Sequence, residues 1–113
     1  MFPKDRGGGG PGKGFNLNYS LPPDLDLDGY RTYLDRALDR IRDFGPHTLV
    51  VSMGFDTHKD DILGDARFQS ADFETLARVL TAPGYPLLVC LEGGYDLESM
   101  GRNAVYFVRG LLG

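Results

Sequence analysis

No stretch of this chain stays apolar for the roughly 18 residues that a membrane helix needs, and Met1 is followed by Phe, Pro and charges rather than by a basic-then-apolar leader. The expectation is a chain that neither spans a membrane nor is exported, with the cytoplasm as its location. Cysteine is nearly absent: Cys90 stands alone and cannot make an internal disulfide, so the sequon-like Asn18, Tyr19, Ser20 means nothing without secretion. A basic block is missing too. Sixteen acids against twelve bases, mixed along the chain, give a net charge of −4 and no counterion-release footprint. Nucleic acid and membrane are therefore not expected as direct partners. What is present, 113 residues that are 42% hydrophobic and 12% aromatic, suits one globular domain and excludes intrinsic disorder.

Residues 1–29 form a Gly/Pro-rich loop region: Gly7 to Gly10, Pro11, Gly12, Gly14, Pro22 and Pro23 exclude a regular helix there. Residues 30–113 alternate helix and strand. Tyr30, Leu34, Ala37, Leu38 and Ile41 fall at helical spacing, with Asp28 available as a cap and Gly45, Pro46 as a stop. Thr48 to Met53 is a short apolar, β-branched run that reads as a buried strand. The alternation then repeats. Ser70 can cap a helix carrying Phe73, Leu76, Ala77 and Leu80, and Pro86 to Leu91 is a second buried strand. A third helix is expected from near Asp96, with Leu97, Met100, Ala104, Phe107, Val108 and Leu111 on its inner face.

This order implies an α/β fold in which helices flank a parallel sheet on both faces. Two strands are too few for such a sheet, and Phe15 to Leu21 supplies one weak strand at most. The chain is accordingly expected to be part of a larger sheet.

In open parallel sheets, ligands bind beyond the carboxyl ends of the strands. Two segments occupy that place: Gly54, Phe55, Asp56, Thr57, His58, Lys59, Asp60, Asp61 after the first strand, and Glu92, Gly93, Gly94, Tyr95 after the second. A carboxylate beside an imidazole suits a divalent metal, and a tyrosine on a double-glycine hinge suits a mobile hydrogen-bond donor. The plainer reading makes the aspartates turn formers and caps and lets Tyr95 merely pack. Asp61 is the candidate to buttress the Asp56 loop. The remaining signals are weaker. Gly7 to Lys13 fits G-x-x-x-x-G-K, and Gly7, Gly9 and Gly12 fit G-x-G-x-x-G, but only six residues precede the run and Pro22, Pro23 oppose a helix after it. Cys90, inside an apolar strand, reads as a core thiol. Asp60, Asp61 and Asp65 lack the calcium-loop pattern.

These segments together resemble the C-terminal part of the zinc-dependent histone deacetylase and acetylpolyamine amidohydrolase family. The resemblance runs nearly end to end: Phe2, Pro3, the glycine run, Gly14, Phe15, Asn18 and Leu21; then Gly54, Phe55, Asp56, Thr57, His58 with Asp61, Leu63 and Gly64; then Glu92, Gly93, Gly94, Tyr95. The E-G-G-Y form and the His after Asp-Thr lean towards the class II and acetylpolyamine branches. The resemblance implies a partial three-layer parallel sheet with flanking helices, the C-terminal portion of an arginase/deacetylase fold. It also implies that Asp56 is one of three protein zinc ligands and that the Tyr95 hydroxyl bonds the substrate carbonyl oxygen; beside them, Gly93 and Gly94 read as the substrate loop and Asp61 as structural support. The implied reaction is hydrolysis of an acetylated amine, acetyl-lysine or an acetylpolyamine, in which zinc polarises the acyl group and activates a water.

The family's other two zinc ligands and its paired histidines belong to upstream segments that this chain does not contain. His58 aligns in the third-ligand segment at a position that is not a ligand, so metal binding is not transferred to it. The complete protein is expected to bind Zn2+, and this chain alone weakly or not at all. Its expected partner is the missing N-terminal part of the same fold, or failing that a second copy of itself. The rival reading is a non-catalytic, deacetylase-like remnant that serves as a binding or structural module.

Overall fold

The computed structural model describes residue 11 and residues 13–113. Phe2, Pro3 and most of the glycine run, and with them both phosphate-loop patterns, lie outside the described residues. The elements run α1 (Leu27–Phe44), β1 (Leu49–Met53), α2 (Ser70–Thr81), β2 (Leu87–Leu91) and α3 (Met100–Leu112).

Local chemistry sets the helix ends, with shifts from the sequence expectation. α1 begins at Leu27, inside the expected loop region, because Asp26 rather than Asp28 is its cap: its carboxylate accepts the Gly29 N–H at 2.9 Å. Gly45 closes the helix in the left-handed conformation, φ 71°, donating its N–H to the Ile41 carbonyl. α2 is capped by Gln69 instead of Ser70, and Asp72 reaches back to accept the Gln69 N–H at 2.8 Å. α3 starts four residues later than Asp96. A turn intervenes, in which the Asp96 carbonyl accepts the N–H groups of Ser99 and Met100, and Leu97 is exposed rather than on an inner face. The buried face of α3 is Asn103, Phe107 and Gly110, and Val108 points outward.

β1 and β2 pair in parallel, Leu49 with Leu87 through Met53 with Leu91. Among the described residues they are the whole sheet, so each strand leaves an edge unpaired. Strand alternation divides the residues between two faces. Val51, Leu87 and Val89 pack onto a core of Leu27, Met53, Phe55, Phe68, Phe73, Leu76, Ala77, Leu80 and Phe107. Val50 and Leu88, paired in register, are 59% and 56% exposed on the other face. Cys90 shares that open face and is exposed, which corrects its reading as a core thiol: the thiol occupies the side of the sheet that no described helix covers.

Phe15 to Leu21 forms no strand. The segment lies along α1 instead, where Tyr19 meets the Tyr33 ring edge-on at 5.5 Å and the Gly14 carbonyl accepts from Arg40. α2 and α3 pack tightly because Gly110 has no side chain: a Cβ there would collide with the Glu74 carbonyl oxygen and the Ala77 methyl.

Candidate active site

The loop after β1 is anchored by an aromatic ring. Phe55, 4% exposed, packs edge-on against Phe73 of α2 at 5.1 Å and Phe107 of α3 at 6.0 Å. Its neighbours on either side, Gly54 and Asp56, are thereby held at the carboxyl end of the sheet. The parallel ladder continues past the strands, since the Glu92 N–H donates to the Met53 carbonyl at 2.8 Å and the Phe55 N–H to the Gly93 carbonyl at 2.9 Å. Two loops far apart in sequence are thus zipped side by side.

Three glycines surround Asp56. A Cβ on Gly54 would stand 2.6 Å from Asp56 Oδ1, one on Gly93 would stand 3.0 Å from Oδ2, and one on Gly64 would overlap the Asp56 backbone carbonyl. Any side chain at these positions would displace the carboxylate or its loop. The position of a Gly93 Cβ also lies 3.2 Å from Cε2 of Tyr95, so the Asp56 carboxylate and the Tyr95 ring converge on one point. Gly94, at φ 138°, adopts a backbone that side-chain-bearing residues rarely reach, and a Cβ there would stand 3.1 Å from Phe55 Cβ and 3.5 Å from Met100 Sδ. Among the described residues, neither the half-buried Asp56 carboxylate nor the hydroxyl of the half-exposed Tyr95 has a hydrogen-bond or ion-pair partner.

Asp61 is the opposite case. It is buried, and each carboxylate oxygen is engaged: Oδ1 accepts the N–H groups of Leu63 at 2.9 Å and Gly64 at 3.0 Å, and Oδ2 accepts that of Tyr95 at 2.7 Å. Burial alone would raise its pKa. The N–H groups of Tyr95, Leu63, Gly64 and Asp96 outweigh burial and hold the carboxyl below its ordinary value.

His58 is also buried, a placement that no sequence signal indicated. The Asp60 N–H donates to its Nδ1 at 3.2 Å, and Ser70 Oγ lies 3.4 Å from Nε2. These hydrogen bonds assign the ring proton to Nε2. Ser99 Oγ lies 3.4 Å from Nδ1, and Arg102 and Asn103 donate to the Ser70 and Ser99 hydroxyls. The imidazole therefore ties the Asp56 loop to the starts of α2 and α3.

A catalytic zinc takes three protein ligands and an exchangeable fourth. Asp56, open and unpartnered, suits one of those places. The one group of three histidine and carboxylate donors among the described residues, His58, Asp60 and Asp96, has ligand atoms within 4.8 Å of one another but omits Asp56. Its Nδ1 already accepts the Asp60 N–H. Among the described residues, the donors fit one corner of a zinc site and do not make a whole one.

Residues 1–111 match the model of the histone deacetylase domain. The chain is similar to acetylpolyamine amidohydrolase 1 of Pseudomonas aeruginosa, 38% identical over 109 residues that cover 96% of this chain and 32% of that protein. It is 35% identical to the acetylpolyamine amidohydrolase of Mycoplana ramosa over 106 residues, 94% of this chain and 31% of that one. The crystal structure of acetylpolyamine aminohydrolase from Burkholderia pseudomallei superposes with a TM-score of 0.85 at 34% identity, covering 93% of this chain and 30% of that chain. The chain thus spans about a third of the length of the curated relatives it matches. With its partial α/β fold and its two loops beyond a parallel sheet, it belongs to the histone deacetylase domain family.

Proposed function

We propose that this chain carries one wall of an amide-hydrolysing site which, in the complete protein, removes the acetyl group from an acetylated amine such as acetyl-lysine or an acetylpolyamine. The observation that carries this reading is the convergence of the Asp56 carboxylate and the Tyr95 ring on the space left by Gly93, with the carboxylate and the tyrosine hydroxyl both unpartnered among the described residues. The names of the similar proteins support the substrate class.

Asp56 would be one protein ligand of a Zn2+ ion whose remaining ligands come from the part of the fold outside this chain. When bound, zinc supplies Lewis-acid polarisation of the acyl carbonyl and a water of lowered pKa. Tyr95 presents its hydroxyl to the acyl oxygen and donates a hydrogen bond to the charge that develops there. Gly93 and Gly94 keep the backbone narrow beside the substrate. Neither the proton acceptor for water nor the remaining metal ligands are among these residues, so the chain alone is not expected to turn over substrate. Its bare sheet face and open strand edges suit docking of the rest of the fold, with self-association as the outcome in its absence. None of the described helices is long and apolar enough to cross a membrane, and the reading includes a cytoplasmic location.

The test is made in the complete protein. Tyr95→Phe keeps the ring and deletes one hydrogen bond to developing charge, so kcat should fall by roughly 10² to 10³, about 3 to 4 kcal/mol, at unchanged zinc content. Asp56→Ala should lose the metal instead. Near-full kcat for Tyr95→Phe at normal zinc content would return Tyr95 to a packing role.

A further inference from the structure

We propose that Asp61 is a positioning residue for Tyr95, holding the backbone of the tyrosine from the neighbouring loop so that its hydroxyl is presented to the acyl oxygen. The proposal rests on the reading of Tyr95 as the oxyanion donor and concerns what puts it in place.

Tyr95 is held at its backbone and free at its tip. Its N–H makes the 2.7 Å bond to Asp61 Oδ2, shorter than those from Leu63 and Gly64, while among the described residues its hydroxyl meets no partner. The preceding residues cannot fix its direction alone. Gly93 is tied through its carbonyl to Phe55, but Gly94 follows with no side chain to restrict it. The next fixed point along the chain is the Tyr95 N–H.

Asp61 is itself immobile. It is 8% exposed, and its other oxygen is engaged by two N–H groups of its own loop, Leu63 and Gly64. Gly64 is also the residue that lies against the Asp56 carbonyl. One carboxylate therefore fastens the loop carrying the metal-ligand candidate to the loop carrying the oxyanion donor. Among the described residues no cation pairs with it, so its charge is met by backbone N–H groups, which are charge-assisted donors of fixed position. A loop buttress would need only the bonds to Leu63 and Gly64. The bond to Tyr95, 34 residues away in sequence, adds to the Phe55–Gly93 backbone bond a second tie between the two loops, placed beyond Gly94 and at Tyr95 itself.

The experiment is a double-mutant cycle on the complete, zinc-loaded protein with Asp61→Asn, Tyr95→Phe and the pair, reading kcat, KM and zinc content. Asparagine keeps the shape of aspartate but replaces one acceptor oxygen with an NH2 group, which cannot accept from the Tyr95 N–H or from the Leu63 and Gly64 pair. By analogy with other residues that orient a functional group, Asp61→Asn should lower kcat by roughly 10- to 100-fold. Zinc content and KM should change little. The double variant should be nearly as slow as Tyr95→Phe alone, because without the hydroxyl there is nothing left to position. Multiplicative losses, an unaffected kcat, or loss of zinc from Asp61→Asn would overturn the proposal. An unaffected kcat for Tyr95→Phe would instead overturn the underlying reading of Tyr95. Should Asp61→Asn fail to fold, hydrogen exchange of the Tyr95 amide in the unmodified protein decides the matter: strong protection is expected, and exchange at the rate of an open loop contradicts the clamp.

Discussion

A carboxylate buried without a cation is stable only where N–H groups converge on it, and Asp61 meets that condition with N–H groups from two loops. Its folded pKa lies below the unfolded one. The stabilisation it provides is therefore fully present above the unfolded value, about pH 4, and is lost as the pH falls through the lower folded value. Urea unfolding of the complete protein across pH 2 to 7 should show its advantage over Asp61→Asn shrinking with acid. A constant difference across that range would contradict the carboxylate's role. Asp56, Asp61 and Tyr95 stand out in the sequence, because they follow two apolar strands and sit among glycines. Their connections were less so. Which oxygen of Asp61 reaches Tyr95 depends on a pairing across 34 residues, and the burial of His58 depends on hydroxyls delivered by the starts of two helices. Neither leaves a local pattern.

Among the elements, the apolar periodicity of α1, α2 and the two strands placed them within a few residues, while the ends moved with the caps. Asp26 and Asp28 are both competent caps, and what selects Asp26 is the N–H of Gly29 falling within its reach. The late start of α3 has a similar origin, a turn closed on the Asp96 carbonyl that competes with the helix. Cys90 was misplaced because an all-apolar strand does not reveal which face will be covered within a partial sheet. Gly110 tests the packing of these elements. A methyl group there meets the Glu74 carbonyl and the Ala77 side chain, both on α2, so Gly110→Ala in the complete protein should cost about 1 to 3 kcal/mol. The check is a lower urea midpoint at unchanged m-value. An unmoved midpoint would show that α2 and α3 separate freely.

For the whole molecule, the sheet is the informative part. A two-stranded parallel sheet with helices packed on one face and Val50 and Leu88 exposed on the other is rarely stable by itself. The matched relatives are about three times as long. Both facts agree with the proposal that the second wall of the site lies outside these residues. The most direct measurement is of bound zinc and hydrolysis of an acetylated amine, on this chain alone and on the complete protein, side by side. The complete protein is expected to hold one zinc per chain and to turn over substrate, and this chain alone to do neither after dialysis. Stoichiometric zinc with turnover from this chain alone, or a complete protein with neither, would contradict it.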